Sequence, residues 1–371
     1  MAVGCPSSSF GKLMNIDDMK EALMGRKKTK KVQKELLSTG STLLNLACSD
    51  NPHGAFFPGH YYFFVGDSTS GKTWLALSAF AEACQDPAFD DYQLIYDNAE
   101  DGALMNMSRF FGKKVADRLE APARDSSSAD VFSDTVESFY FHFADAIARG
   151  PCIYILDSMD ALQTGDDIEK FSEQKSDWEK GKDDGAGSFG MSKAKLNSVN
   201  IREAIRGCRE TQSILIIISQ TRDNVGFGFE KKTRAGGRAL KFYATLEIWT
   251  SVKGKITRTI RKKKRQLGIY AIAQVKKNRV SGKDRSVEIP IYHSYGVDDV
   301  GACIDYLVDE QHWKKSKNSI VADDFDMTAS RDALIAHIEE NELEAELADI
   351  VGDVWKEIEA ACALKRKKRY E

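Results

Sequence analysis

Residues 66 to 73 read Gly-Asp-Ser-Thr-Ser-Gly-Lys-Thr, the spacing of a phosphate-binding loop, and few architectures can carry such a loop. It needs a strand ahead of it and a helix behind it. The aromatic-rich apolar block Tyr61 to Val65, bounded by Gly59 and Gly66, predicts a buried strand, and Trp74 to Phe80 predicts a helix. Glycines at 66 and 71 let the backbone wrap a polyphosphate with its N–H groups turned inward, and the helix N-terminus adds partial positive charge. Lys72 is spaced to reach the β- and γ-phosphates, and Thr73 to hold Mg²⁺ through its hydroxyl. Gly66, Asp67, Ser68, Thr69, Ser70, Gly71, Lys72 and Thr73 are therefore the expected contacts to ATP and Mg²⁺.

The remaining pattern fits an α/β fold. Apolar strands near 61–65, 93–97, 152–156, 214–219 and 245–250 alternate with helices near 72–84, 131–149 and 192–210, which predicts a mostly parallel, twisted sheet covered by helices. That core spans residues 41–297. Ahead of it, residues 1–40 carry an amphipathic pattern (Met14, Ile16, Met19, Leu23, Val32, Leu36, Leu37) around a basic stretch, which predicts a helical arm. Behind it, residues 298–371 read as a small, helical, charged C-terminal domain with a basic tail, Lys365 to Arg369. Two polar, glycine-containing stretches, 164–191 and 222–238, interrupt the alternation and read as long loops of the functional kind.

With 53 Lys and Arg against 56 Asp and Glu, the net charge is -3, and no run approaches a membrane span or a signal region. Seven cysteines are scattered without a Cys-x-x-Cys, so neither a disulfide framework nor a zinc site is indicated, and a cytoplasmic location is expected. The near-neutral sum hides basic blocks at Arg26 to Lys34, Arg261 to Arg265 and Lys365 to Arg369, which suit a polyanionic partner.

Three further strand ends carry candidate chemistry. Cys152 to Leu156 closes on Asp157, placed to hold Mg²⁺ at the same sheet edge as the phosphate loop. Gln93 to Asp97 leads into Asn98-Ala99-Glu100-Asp101, and hydrolysis needs a carboxylate to orient or deprotonate water. Glu100 is the expected base, with Asp97 and Asp101 as structural competitors. Ile214 to Ser219 closes on Gln220, whose amide can bond a γ-phosphate and which runs directly into the second long stretch.

In this order, these elements resemble the RecA recombinases over roughly residues 36–310. Leu37-Ser38-Thr39-Gly40-Ser41 with Leu43-Leu44-Asn45 is similar to the family's lead into its core. Asp157-Ser158 with Ala161-Leu162 is similar to its magnesium strand, Gly236-Gly237-Arg238-Ala239-Leu240-Lys241-Phe242-Tyr243-Ala244 to the segment leaving its second DNA loop, and Lys277-Asn278-Arg279 to its Lys-Asn-Lys. The resemblance implies a homo-oligomeric helical filament on single-stranded DNA that pairs it with a duplex, with ATP held between neighbouring subunits. It further implies that Lys277 and Arg279 act on the neighbour's γ-phosphate, that Lys241 and Phe242 sit at that interface, and that 164–191 and 222–238 bind DNA. On the second stretch Arg222, Lys231, Lys232, Arg234 and Arg238 would track phosphates while Phe227 and Phe229 stack on bases. Single-strand-binding or mediator proteins would be further partners.

The chain departs from the family in an extra residue before Glu100, in an acidic first stretch (Asp166, Asp167, Glu169, Glu173, Asp177, Glu179) and in its basic C-terminus. These departures resemble a divergent phage or viral recombinase, which would work in the host cytoplasm. The alternative reading is a hexameric motor or regulatory ATPase of the same fold, which has no need of residues 236–244.

Overall fold

The first strand, β1 (His60–Gly66), is apolar on both faces because both are covered. Tyr62 and Phe64 enter one buried cluster, and Tyr61, Phe63 and Val65 enter another on the opposite side. The structure is a computed structural model that describes residues 35–100, 106–180, 191–223, 232–234 and 237–366, the side chains of 191, 222, 223 and 232–234 excepted.

Along the chain the strands continue as β2 (Gln93–Asp97), β3 (Leu119–Glu120), β4 (Ala123–Arg124), β5 (Asp130–Val131), β6 (Cys152–Leu156), β7 (Ile214–Asp223) and β8 (Lys232–Arg234). Then come β9 (Leu246–Ile260), β10 (Lys263–Asn278), β11 (Ser286–Tyr292), β12 (Gly296–Val297), β13 (Lys314–Ser316), β14 (Ser319–Ala322) and β15 (Met327–Ala329). Ten of them form one sheet in the order β12-β11-β10-β9-β1-β7-β6-β2-β3, with β8 paired to β7. Every pair from β9 through β1, β7, β6 and β2 to β3 is parallel, while β10, β11 and β12 are antiparallel to their neighbours.

The helices Val136–Arg149, Met191–Thr211 and Arg238–Tyr243 bury Phe139, Phe143, Ile201, Cys208 and Leu240 on one sheet face. The helices Thr42–Ser49 and Lys72–Gln85 bury Leu44, Leu75 and Phe80 on the other. Apolar side chains from the C-terminal helices, among them Ile304, Leu334 and Val351, belong to that second cluster as well. Parallel strands with helices on both faces are the sandwich that the alternation predicted.

Four boundaries differ from the sequence expectations. The helix expected over 131–149 starts at Val136, because the Thr135 side chain caps it in a box with Ser138 and the chain before it pairs as β4–β5. The stretch 164–191 is no long loop over its first half: Gly165–Glu179 is helical, capped by Thr164 with Asp166 and Asp167 in its first turn. This helix buries no residue, so it lacks the apolar periodicity by which helices are recognised in sequence. Within 222–238 the described residues are Arg222 and Asp223 at the end of β7, Lys232 to Arg234, which pair antiparallel with it as β8 (Thr221↔Arg234, Asp223↔Lys232), Gly237, and Arg238, the first residue of a helix. The strand expected at 245–250 runs on to Ile260 as half of a long hairpin with β10. C-terminal to residue 298 the expected helices are joined by the small sheet β13–β14–β15. The expected arm lies outside the described residues as far as residue 34.

Candidate functional site

The phosphate loop sits where β1 feeds the helix Lys72–Gln85. Gly71 has φ 91°, and a Cβ there would lie 2.6 Å from Ile291 Cδ1. Gly66 has no room for a side chain, since its Cβ would meet Thr250 Oγ1 at 2.3 Å and the Thr250 carbonyl at 2.6 Å. The loop is curled on itself: the Lys72 ammonium and the Ser70 hydroxyl both donate to the Asp67 carbonyl at 2.7 Å. Burial pulls the Lys72 ammonium below its usual range, against the carboxylates of Asp157, Glu100, Asp67 and Asp160. Ser68 and Thr69 are exposed on the loop, Thr69 with φ 60°.

Asp157 lies opposite, one strand removed. Thr73 Oγ1 donates to Asp157 Oδ2 at 2.7 Å, and the Tyr96 hydroxyl donates to the same oxygen at 3.2 Å. Burial raises the Asp157 carboxyl above its usual range. A hydroxyl and a carboxylate in contact beside the loop are the donor set that Mg²⁺ uses when substrate phosphates and waters supply its other ligands. Among the described residues, no cluster of three or more His, Cys, Asp or Glu is placed to hold a metal ion.

The two neighbouring acids separate by environment. Asp97 is fully buried and saturated, accepting from Ser133 N at 2.9 Å, Ser133 Oγ at 2.6 Å and the Tyr154 hydroxyl at 2.7 Å. It anchors β2. Glu100 is exposed at the cleft, accepting from Ser158 Oγ and from Gln220 Nε2 at 2.9 Å. Asp101 lies outside the described residues. Gln220 therefore meets the candidate base directly. Its own backbone N–H donates to Asp160 Oδ2 at 2.7 Å, as does the Ser219 hydroxyl at 2.8 Å. The next residue, Thr221, donates its hydroxyl to the Asp67 carboxylate of the phosphate loop. Tyr96, Asp160 and Thr221 were not singled out from sequence, and Ser158 only as part of the Asp157-Ser158 motif. Each sits at or just past the carboxyl end of a parallel strand, the one signal that could have found them.

Lys277, Arg279, Lys241 and Phe242 are brought together, far from the loop. Lys277 Nζ donates to the carbonyls of Lys241 and Phe242 at 2.6 Å each, and Arg279 Nη2 donates to the Phe242 carbonyl at 2.5 Å. Both cations lie near the exposed Phe242 ring, at 6.0 and 5.8 Å from its centroid. Lys241 Nζ is 3.9 Å from the buried Glu247. This cluster is at the amino end of β1: Arg279 N bonds Thr245 O, Thr245 N bonds Tyr61 O, and Arg279 shares a cavity with His60. The phosphate loop is at the carboxyl end, Gly66, so the seven residues of β1 separate them by roughly 20 Å.

Of the candidate DNA contacts, Arg238 is exposed at the start of its helix. Arg222, Lys232 and Arg234 are on the β7–β8 hairpin, while Phe227, Phe229 and Lys231 lie outside the described residues. The helix Gly165–Glu179 exposes Phe171 and Trp178 among its acids.

The RecA N-terminal domain family matches residues 152–298, which run from β6 through the hairpin stretch and the Lys277–Arg279 cluster. Among similar proteins, Protein RecA of Bacteroides thetaiotaomicron is 28% identical over 326 residues, covering 86% of this chain and 87% of that protein. Protein RecA of Trichodesmium erythraeum is 27% identical, with 83% and 76% covered, and that of Clostridioides difficile is 27% identical, with 83% and 79% covered. No helix among the described residues is long and apolar enough to cross a membrane. The sheet and its loop form a RecA-type core, and over most of its length the chain is similar to RecA proteins.

Proposed function

We propose that this protein is an ATP-dependent recombinase that assembles as a helical filament on single-stranded DNA, pairs it with a homologous duplex and hydrolyses ATP as it cycles. The observation that carries the reading is the roughly 20 Å between the phosphate loop and the Lys277–Arg279 cluster along β1. Two cations poised beside an exposed aromatic at one end of the sheet, and a triphosphate loop at the other, suit head-to-tail stacking in which each copy completes the next copy's site. When bound, ATP with Mg²⁺ supplies the phosphoanhydride bond and the charge that Lys72, Thr73 and Asp157 would hold.

Glu100 would orient the attacking water. In the described state the Ser158 hydroxyl and the Gln220 amide occupy one of its oxygens. A γ-phosphate that draws the Gln220 amide away would free Glu100 and move the strand end leading into the 222–238 stretch, coupling nucleotide to DNA grip. The extra residue before Glu100, the acidic 164–191 stretch and the basic Lys365–Arg369 block are the features that favour a phage or viral recombinase in this reading. Imaging the protein with single-stranded DNA and a non-hydrolysable ATP analogue, alongside ATPase and strand-exchange assays, tests the reading. Filaments, DNA-stimulated hydrolysis and exchange are expected; closed rings with no exchange would replace it with the motor alternative.

A further inference from the structure

The two strands that end beside the nucleotide cleft exchange tyrosines. β2 and β6 run parallel with Ile95 opposite Tyr154 and Tyr96 opposite Ile155. Each tyrosine reaches two residues further along, to the acid that closes the neighbouring strand. The Tyr154 hydroxyl of β6 donates to Asp97 Oδ2 at 2.7 Å, and the Tyr96 hydroxyl of β2 donates to Asp157 Oδ2 at 3.2 Å. Two residues of strand span roughly 7 Å, a reach that a phenol covers and a serine or threonine hydroxyl does not.

Side chains alternate along a strand, so the two pairs lie on opposite faces of the sheet. Tyr96 joins the cluster packed under the helix Lys72–Gln85, and Tyr154 joins the one under Val136–Arg149. There the acids fare differently. Asp97 accepts from Ser133 N on Oδ1 and from Ser133 Oγ and Tyr154 on Oδ2, so both of its oxygens are filled. Asp157 accepts from Thr73 Oγ1 and Tyr96 on Oδ2, and among the described residues its Oδ1 accepts no hydrogen bond. One arrangement thus closes a carboxylate, while its counterpart leaves one half open beside the phosphate loop.

A half-open carboxylate serves a metal only if it stays turned one way. The outer torsion of an aspartate is broad and two-fold, and a single hydrogen bond leaves it soft. Thr73 is a poor sole restraint, because its loop is curled on the Asp67 carbonyl through Ser70 and Lys72 and must open around a polyphosphate. Tyr96 sits on a buried strand and is itself 5% exposed, with Asp157 at 4%, so solvent cannot readily stand in for its hydroxyl. A phenol also keeps its proton at neutral pH, so toward a carboxylate it acts only as a donor.

We propose that Tyr96 is a positioning residue of the nucleotide site, its hydroxyl fixing the Asp157 carboxylate so that Oδ1 is held ready for the magnesium that arrives with the nucleotide. This role rests on the reading of the loop as an ATP and Mg²⁺ site and adds to it a residue from the neighbouring strand. Removing the partner of a metal-site carboxylate typically lowers metal affinity by about 10- to 100-fold, and a bond of 3.2 Å puts Tyr96 near the smaller figure. A core tyrosine whose hydroxyl merely needed an acceptor would make the same bond, so the two roles are separated by measuring magnesium dependence.

Tyr96→Phe keeps the ring and removes the donor, and Tyr154→Phe makes the same change at the mirrored position. Affinity of the full chain for a fluorescent ADP analogue is measured without DNA, first in EDTA and then across a Mg²⁺ titration, with thermal unfolding of the nucleotide-free protein alongside. Tyr96→Phe should match the parent in EDTA and need about tenfold more Mg²⁺ for half-maximal tightening. Tyr154→Phe should lower Tm and leave the Mg²⁺ midpoint where the parent has it. In an Asp157→Asn background, Tyr96→Phe should add nothing further. A midpoint equal to the parent's in Tyr96→Phe, or an equal shift in both phenylalanine variants, would overturn the proposal. So would a parent whose affinity Mg²⁺ does not alter, which would also remove the metal role of Asp157. The expected shift in a protein that forms no filament on DNA would uphold the Tyr96 role and sink the recombinase reading alone.

Discussion

If each nucleotide site is shared by two copies, two different dead chains should revive each other. Lys72→Ala removes the ammonium that reaches the phosphates and leaves the distant cluster intact, whereas Lys277→Ala with Arg279→Ala does the reverse. Along one chain the two are separated by roughly 20 Å of β1, more than a side chain can bridge, so neither defect is repaired within its own copy. Loss of a cation acting on the transferring phosphate costs about 10³ to 10⁵ in rate, which leaves each variant alone with essentially no turnover. In a random 1:1 mixture, about one junction in four joins an intact loop to an intact cation pair, so the mixture should recover about a quarter of the parent rate. The assay is steady-state phosphate release on single-stranded DNA at saturating ATP, titrating one variant into the other at constant total protein. Activity should peak at equal proportions. A mixture as inactive as its components at every ratio, with filaments still visible by electron microscopy, would refute the shared site; so would a Lys277/Arg279 variant that hydrolyses ATP at the parent rate.

Asp97 and Glu100 should part company under substitution. Asp97→Ala strands the Ser133 and Tyr154 donors in a buried site and should cost about 3 to 5 kcal/mol in urea melts, while exposed Glu100→Ala should leave stability nearly untouched and abolish hydrolysis. Gly66→Ala should destabilise by about 2 kcal/mol, because its Cβ lies 2.6 Å from the Thr250 carbonyl and trimming the Thr250 side chain does not relieve that contact; full rescue by Thr250→Ala would show otherwise. Asp299 is half-buried at the start of the helix Asp299–Asp309, accepts from Thr42 N and Oγ1 at 2.7 Å each, and has its carboxyl pushed up to about 6 by loss of solvent around it. A raised value in the fold means that stability from this group is fully present below about pH 4 and is lost as pH rises through 6. Asp299→Asn should therefore gain thermal stability relative to the parent between pH 4 and 7; parallel Tm profiles across that window would contradict it.

The phosphate loop was legible because its chemistry leaves little freedom: glycine where a side chain collides, lysine and threonine at fixed steps from it, an apolar strand before and a helix after. β2, β6 and β7 were legible for a similar reason, since strands buried on both faces are unbroken apolar runs. The acid at the end of β6 followed from the same logic. Where side chains leave the core, that signal fades. The helix Gly165–Glu179 buries nothing and read as loop, and the paired ends of β9 and β10 beyond the sheet read only as the basic block Arg261 to Arg265.

Relations across the sheet were not written in any local pattern. That Asp97 is an anchor and Glu100 faces the cleft depends on Ser133 and Tyr154 arriving from distant parts of the chain. That Lys277 and Arg279 stand at the far end of β1 from the loop depends on strand order and register. Periodicity and motif spacing report what each segment needs from its neighbours; which neighbours it obtains, and at which end, is fixed only when the strands pair, because pairing sets distances that sequence separation does not.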